Sequence, residues 1–260
     1  MVLTKDIQPK GATASADTQP TEAIETIDLP SMPPTDLYSD EPELESDLHL
    51  RQIFLLIASL EWLWRDRNDF FVSGNLTVYF SPKQLKSRDF RGPDFLVALN
   101  TERRTRKSWT VWEEGGRYPD LIVEILSDST ARVDRTTKKQ LYQNIFRTTE
   151  YFWFDPNTLE FEGFVLMAGQ YEAIEPNESG YLWSRQLRLH LGVYNSQLRY
   201  FMAEGTLVPT PQEAATQAQE AATQAQEAAT QAQDAATASA QRAERLSQKL
   251  REMGIDPDTV

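Results

Sequence analysis

The sequence predicts an α/β domain, a mixed sheet with flanking helices, followed by one long C-terminal helix. Three observations carry that reading. Apolar residues recur at three- and four-residue spacing after Ser46, the mark of an amphipathic helix. Four β-rich runs, FFVSGNLTVYF, PDFLVAL, PDLIVEIL and EYFWFD, follow, and a second helical stretch separates the last two, the order of a mixed sheet with helices against it. The heptad EAATQAQ then occurs at 213–219, 220–226 and 227–233, with DAATASA at 234–240, and a seven-residue period is that of a coiled-coil helix.

Taken in order, residues 1–45 are rich in Pro, Thr, Ser, Asp and Glu and read as a disordered acidic arm. Leu29 to Tyr38 can rest on the core, without regular structure. A helix begins near Ser46, with Leu50, Ile53, Phe54, Ile57, Leu60 and Trp64 as its apolar face. Phe70 to Phe80, with Gly-Asn at its centre, reads as a strand or a hairpin. Pro93 to Leu99 is a short buried strand, and Ser108 to Glu114 a possible further one closed by Gly115-Gly116. Pro119 to Leu126 is the strongest strand signal in the chain. After an SDST turn a helix runs from about Asp134, as N-cap, to Phe146. Glu150 to Asp155 is a strand ended by Pro156, and residues 160–205 alternate short strands with Gly and Asn turns. The domain is therefore assigned to 46–205 and the repeat helix to 206–260.

That helix opens on Thr210, Pro211 and Glu213, read as N-cap, first-turn proline and capping-box acid, and closes on Gly254. Its unbroken stripe runs Ala215, Ala218, Ala222, Ala225, Ala229, Ala232, Ala236, Ser239, Ala243, Leu246, Leu250, Met253. Two readings of it stand side by side: a seam for self-association, or a single solvated helix, since alanine buries far less apolar area than leucine.

The formal net charge of −13 is unevenly placed. Residues 1–50 hold 2 Lys/Arg against 11 Asp/Glu, 51–205 hold 20 of each, and 206–260 hold 4 against 8. A uniformly acidic surface would repel nucleic acid; a neutral domain between acidic flanks does not. Cysteine is absent, so no disulfide or thiolate-held metal is expected, which fits a cytoplasmic location. No secretory signal and no apolar run of membrane-spanning length is found.

Strand alternation points to a site. In Pro119–Leu126, Asp120, Ile122, Glu124 and Leu126 share one face, and Leu121, Val123 and Ile125 the other. Glu124 thus sits in an otherwise apolar strand, where a bare carboxylate is costly unless a metal or cation meets it. Asp94 opens the earlier strand, and if the two strands are neighbours both carboxylates can converge on one divalent ion. Hard oxygen ligands without cysteine and with only two histidines favour Mg²⁺ or Mn²⁺. In the following helix Lys138 lies on a face with Leu141, Tyr142 and Ile145, whereas Lys139 falls with Gln143 and Arg147, so Lys138 points inward. On residue type alone, Asp94 is more often a turn or strand-opening residue, and Glu124 can be one half of a structural bridge to Lys138 or an arginine.

The run RGPDFLVAL, then YPDLIVEILSDST, then DRTTKKQLY, then EYFWFDP resembles the Uma-type restriction endonuclease family of the PD-(D/E)XK nuclease superfamily. The resemblance spans about residues 44–205 and leaves out the arm and the tail. It implies a restriction-endonuclease-like αβββαβ core and a divalent-metal phosphodiesterase site. Asp94 matches the Pro-Asp carboxylate and Glu124 the acid of the (D/E)XK strand. Where the superfamily pattern has lysine, two residues on, this chain has Leu126; the resemblance places that lysine at Lys138, in the next helix. Asp120, on the face of Glu124, is a candidate third metal ligand or a strand-opening residue. His49 resembles a helix-one histidine of the family, although a surface histidine at a helix start is the plainer reading; His190 reads as an exposed strand residue.

Basic residues flank the first Pro-Asp strand: Lys83, Lys86, Arg88 and Arg91 before it, Arg103, Arg104, Arg106 and Lys107 after it. They form a rim for a DNA backbone or a solvated charged loop. Trp109 and Trp112 read as core before base-stacking. The leading expectation is a Mg²⁺-dependent DNA endonuclease with Asp94, Glu124 and Lys138 as catalytic residues. A catalytically inactive nuclease fold that binds DNA or protein is the alternative, and a tail-driven homo-oligomeric scaffold is the third.

Overall fold

The computed structural model describes residues 34–39, 46–81, 92–127, 131–254 and 256–257, all within the unit Pro34–Val260. The expected acidic arm lies outside the described residues except for 34–39, as do Lys83, Lys86, Arg88, Arg91 and most of the SDST turn.

Helix α1 (Asp47–Leu63) starts where the sequence places it: extended Ser46 caps it, its hydroxyl accepting from the His49 N–H at 3.1 Å. Its buried file differs from the expected one. His49, Gln52, Ile53, Leu56, Ser59 and Leu60 are buried, and Phe54 is 60% exposed. The helix is turned because Gln52 behaves as a piece of strand. Its amide donates to the Leu198 carbonyl and accepts from the Leu198 N–H, both at 3.0 Å. A side chain satisfied in this way is buried at little cost, and apolar periodicity does not register it.

Six strands form the main sheet in the order β1 (Phe70–Gly74), β3 (Phe95–Leu99), β5 (Leu121–Ile125), β6 (Glu150–Phe154), β7 (Phe161–Met167), β8 (Gln170–Ala173). Only β5 and β6 run parallel, joined by the helical crossover expected of such a pair; the other neighbours are antiparallel. Residues 70–80 are not a hairpin. After β1 the chain turns at Asn75 (φ +48°), and β2 (Val78–Tyr79) leaves the sheet to pair in parallel with β4 (Trp109–Thr110). Strands β9 (Leu182–Ser184), β10 (Leu189–Tyr194) and β11 (Gln197–Phe201) make a second, antiparallel sheet.

Alternation divides the core into two layers. Phe70, Val72, Phe95, Val97, Leu121, Val123 and Ile125 face α1 and the small sheet, with Leu191, Leu198, Tyr200 and Val208. Phe71, Leu96, Ala98, Ile122, Tyr151 and Trp153 face the other way, toward Val78, Trp109, Tyr142 and Phe146. Residues 34–39 lie across β2 and β4 without regular structure. The Ser108 hydroxyl donates to the Leu37 carbonyl at 2.7 Å and the Tyr79 phenol to the Tyr38 carbonyl at 2.9 Å.

The crossover helix α2 (131–146) begins three residues before the expected cap and is only partly α-helical. Asp134–Lys138 and Tyr142–Phe146 are π-helical, with short α segments before and between them, and Arg147 ends it in the left-handed region at φ +53°. Bonding from i to i+5 widens the turn, so residues four apart share a face. Asp134, Lys138, Tyr142 and Phe146 are all buried, whereas Ile145, expected beside Lys138, is 49% exposed.

The tail is a single helix, α3 (Pro211–Glu252), with the Thr210–Glu213 capping box and first-turn proline in place and Gly254 at φ +76° beyond its end. None of its residues is buried. Its base is tied to the domain: Arg199 donates to Glu213 at 2.6 Å and to the Val208 carbonyl at 3.1 Å, and Arg199 holds the Glu213 carboxyl below its ordinary value. The domain's core therefore continues past residue 205 to Val208, which is 1% exposed. No helix among the described residues is long and apolar enough to cross a membrane.

Candidate active site

The antiparallel register of β3 and β5 sets Phe95 opposite Val123. One step further, at the mouth of the sheet, Asp94 stands opposite Glu124, where cross-strand side chains are closest. The backbones lock the pair: the Ile125 N–H donates to Asp94 Oδ2 at 2.8 Å, and the Asp94 N–H points at Glu124 Oε2 at 3.4 Å.

Both flanking helices contribute. From the first turn of α1, His49 Nε2 lies 3.2 Å from Asp94 Oδ1. From α2, Lys138 Nζ lies 2.9 Å from Glu124 Oε2 and 3.0 Å from Asp134 Oδ1, and the Tyr142 phenol donates to Glu124 Oε1 at 2.6 Å. Gly74 holds α1 close. A Cβ there would lie 2.2 Å from Ile53 Cγ2 and 2.9 Å from the Asp94 carbonyl oxygen, so only glycine lets the helix, β1 and Asp94 meet.

Burial governs the electrostatics. Glu124 and Asp134 are fully buried and Lys138 is 8% exposed. Desolvation, helped by Asp94 and Asp134 and opposed by Lys138, pushes the Glu124 carboxyl well above its ordinary value. Desolvation acts on Asp94 too, but the His49 hydrogen bond and the Lys138 charge outweigh it, and Asp94 is held below the usual range. For Lys138 the three carboxylates overcome desolvation and keep the ammonium charged, its pKa raised. Carboxyls pushed apart in this way titrate as a pair.

These residues fit a hard divalent cation. Among the described residues, three carboxylates meet one ammonium and one imidazole in a dry site, a surplus of negative charge that a proton or a cation must balance. No group of three or more His, Asp or Glu with metal-holding geometry occurs among the described residues. Two carboxylates completed by water and phosphate oxygens are nevertheless the usual protein share of a Mg²⁺ site.

The structure thus brings together Asp94, Glu124 and Lys138, and adds His49, Asp134 and Tyr142. His49 is 6% exposed, not a surface histidine. Asp134 is no N-cap; its carboxylate faces Lys138. Asp120 is not brought to the cluster: it precedes Glu124 by four strand residues, about 13 Å, and accepts from the Leu99 N–H at 2.7 Å. Period-two alternation reported its face correctly and says nothing of distance along the strand.

The second basic group does not form a free rim. Antiparallel pairing puts Arg103 to Lys107 beyond Leu99, at the end of β3 away from Asp94. Their charges are met internally. Arg106 and Arg104 donate to Glu114 at 2.6 and 3.0 Å, Arg103 lies 3.6 Å from Glu61, and Lys107 is paired with Asp36. The cleft of about 460 Å³ beside β1 is lined by these same paired arginines. Trp109 is core, fully buried and stacked on Phe71.

Comparison with known proteins adds a family. Residues 40–196 match the model of the Uma2 family, described as "Putative restriction endonuclease". Among solved structures the chain is similar to the crystal structure of a putative nuclease belonging to DUF820 from Anabaena variabilis ATCC 29413. The two share 17% identity over 58% of this chain and 80% of that one, with a TM-score of 0.41. No curated protein matches.

Proposed function

We propose, because the chain belongs to the Uma2 family described as putative restriction endonucleases, that it is a Mg²⁺- or Mn²⁺-dependent endonuclease hydrolysing DNA phosphodiester bonds. The observation that carries the reading is the pairing of Asp94 and Glu124 across adjacent strands, with the Lys138 ammonium 2.9 Å from Glu124.

Asp94 and Glu124 would hold the ion. When bound, a divalent cation polarises a phosphoryl oxygen and lowers the pKa of a coordinated water. The protein's own groups do the rest. His49 and the Ile125 N–H fix the two oxygens of Asp94. Lys138, kept charged by its neighbours, would orient the attacking water and stabilise the negative charge that builds on the phosphate. Leu126, buried in the apolar layer, leaves no cation on the strand, so the ammonium comes from α2.

The reading includes a cytoplasmic location, in keeping with a chain that has no cysteine. It assigns α3 to self-association, because its stripe keeps heptad spacing while every residue of the helix stays out of the domain's core. The decisive test is cleavage of plasmid and of single-stranded DNA with Mg²⁺, Mn²⁺ or EDTA, on wild type and Glu124→Ala. Cleavage that needs the ion and falls at least about 10²-fold in the variant supports the reading. DNA binding without cleavage, indifferent to Glu124→Ala, would replace it with the inactive binding module.

A further inference from the structure

We propose that Tyr142 is a positioning residue for the Glu124 carboxylate, setting the direction in which that carboxylate presents its free lone pair to a divalent ion. The inference rests on the metal-dependent reading above and extends it to a residue that does not itself touch ion or substrate.

Each oxygen of Glu124 has a donor from α2: Lys138 on Oε2 at 2.9 Å and Tyr142 on Oε1 at 2.6 Å. Two donors on one rigid helix face fix the rotation of the carboxylate plane, which a single donor does not. The phenol itself is fixed. Tyr142 is fully buried, with ring neighbours Phe146 at 5.2 Å and Tyr151 at 5.4 Å between centroids. Four-residue spacing along α2, kept in one file by its wider π-helical turns, sets up this arrangement. Asp134, Lys138 and Tyr142 fall on one file, so the residue four before the ammonium neutralises it and the residue four after it reaches the other carboxylate oxygen. Oε2 accepts from Lys138 and faces the Asp94 N–H at 3.4 Å, whereas Oε1 accepts from Tyr142 and, having two lone pairs, retains one for an ion. A hydrogen bond made only to satisfy a buried acid would stabilise the fold and leave ion binding alone. A bond that orients a ligand changes affinity by about 10–100-fold when removed.

Tyr142→Phe deletes one oxygen and keeps the ring. The cost of an unmet acceptor, about 1–3 kcal/mol, is within the stability of an ordinary domain. Mn²⁺ affinity is measured on the full chain by calorimetry, and independently from the Mn²⁺-induced rise in melting temperature, which reads the dissociation constant even in a weakened variant. The expected result is a Kd for Mn²⁺ raised about tenfold or more, with kcat at saturating Mn²⁺ within a few-fold of wild type and the half-saturating Mn²⁺ concentration raised in step. A Tyr142→Phe variant that binds Mn²⁺ within twofold of wild type, whatever its melting temperature, overturns the proposal and leaves the nuclease reading intact. A wild type that binds no Mn²⁺, or a Glu124→Ala variant that binds it unchanged, instead removes the reading on which the proposal stands.

Discussion

Lys138 is held 2.9 Å from one fully buried carboxylate and 3.0 Å from another. Taking away one partner of such a group leaves the rest as uncompensated buried charge, at about 3–5 kcal/mol. Lys138→Met keeps the apolar stem and removes only the charge. In metal-free buffer its unfolding free energy is expected to drop by about that amount, measured by denaturant titration, and Mn²⁺ is expected to recover more stability in the variant than in wild type. Cleavage at saturating metal should fall about 10²–10³-fold. A variant as stable as wild type without metal would mean that Glu124, whose pKa burial already raises, carries a proton in the resting protein. At this scale much was legible. The period of two gave the face of Glu124, and the helical period gave the inward direction of Lys138. Local spacing puts Tyr142 on the face of Lys138 and makes Asp134 an N-cap, but it shows neither the ammonium that Asp134 meets nor the Glu124 oxygen that Tyr142 reaches. His49 is buried against the Asp94 carboxylate, a partner distant in sequence that local spacing does not show.

Elements impose the next constraint. The runs that form β1, β3, β5 and β6 were readable since each is short, apolar and bounded by turn residues, but their partners were not. Nothing local says that β2 leaves β1 for β4, because that pairing joins Val78 to Trp109 across thirty residues of chain. The same non-local fact decides what the segment after β3 does. Arg106, whose side chain is 3% exposed, is bidentate to Glu114 and lies 4.6 Å above the Phe71 ring. It clamps β4 and its turn onto β1. Arg106→Gln is therefore expected to cost about 3–5 kcal/mol in stability. The slope of DNA affinity against salt concentration should stay as in wild type, because no phosphate contact is lost. Denaturant titration and filter binding over a salt series check the two halves. A shallower slope by about one unit would return this loop to the DNA interface.

Over the whole molecule, charge and apolar area are divided between parts that meet at one joint. Alanine has the highest helix propensity, so α3 persists without burying a residue, and its 42 residues reach about 63 Å. The joint lies inside the domain's own core. Val208 is buried among Tyr200 and its neighbours, its N–H donates to the Tyr200 carbonyl at 2.9 Å, and the guanidinium of Arg199, 4% exposed, is closed by Glu213. Two truncations should consequently behave differently. Removing residues 206–260 strips a core valine and leaves Arg199 facing no carboxylate, and is expected to lower stability by about 2–5 kcal/mol. Removing 215–260 keeps Val208, the capping box and the Arg199 pair, and is expected to melt within a few degrees of the full chain. If the alanine stripe is a seam between copies, the shorter deletion alone converts an associated species to a monomer in sedimentation, with metal-dependent cleavage of single sites preserved. A full-length chain that sediments as a monomer at tens of micromolar leaves α3 a solvated rod, a result the alanine seam permits because each residue it buries contributes so little.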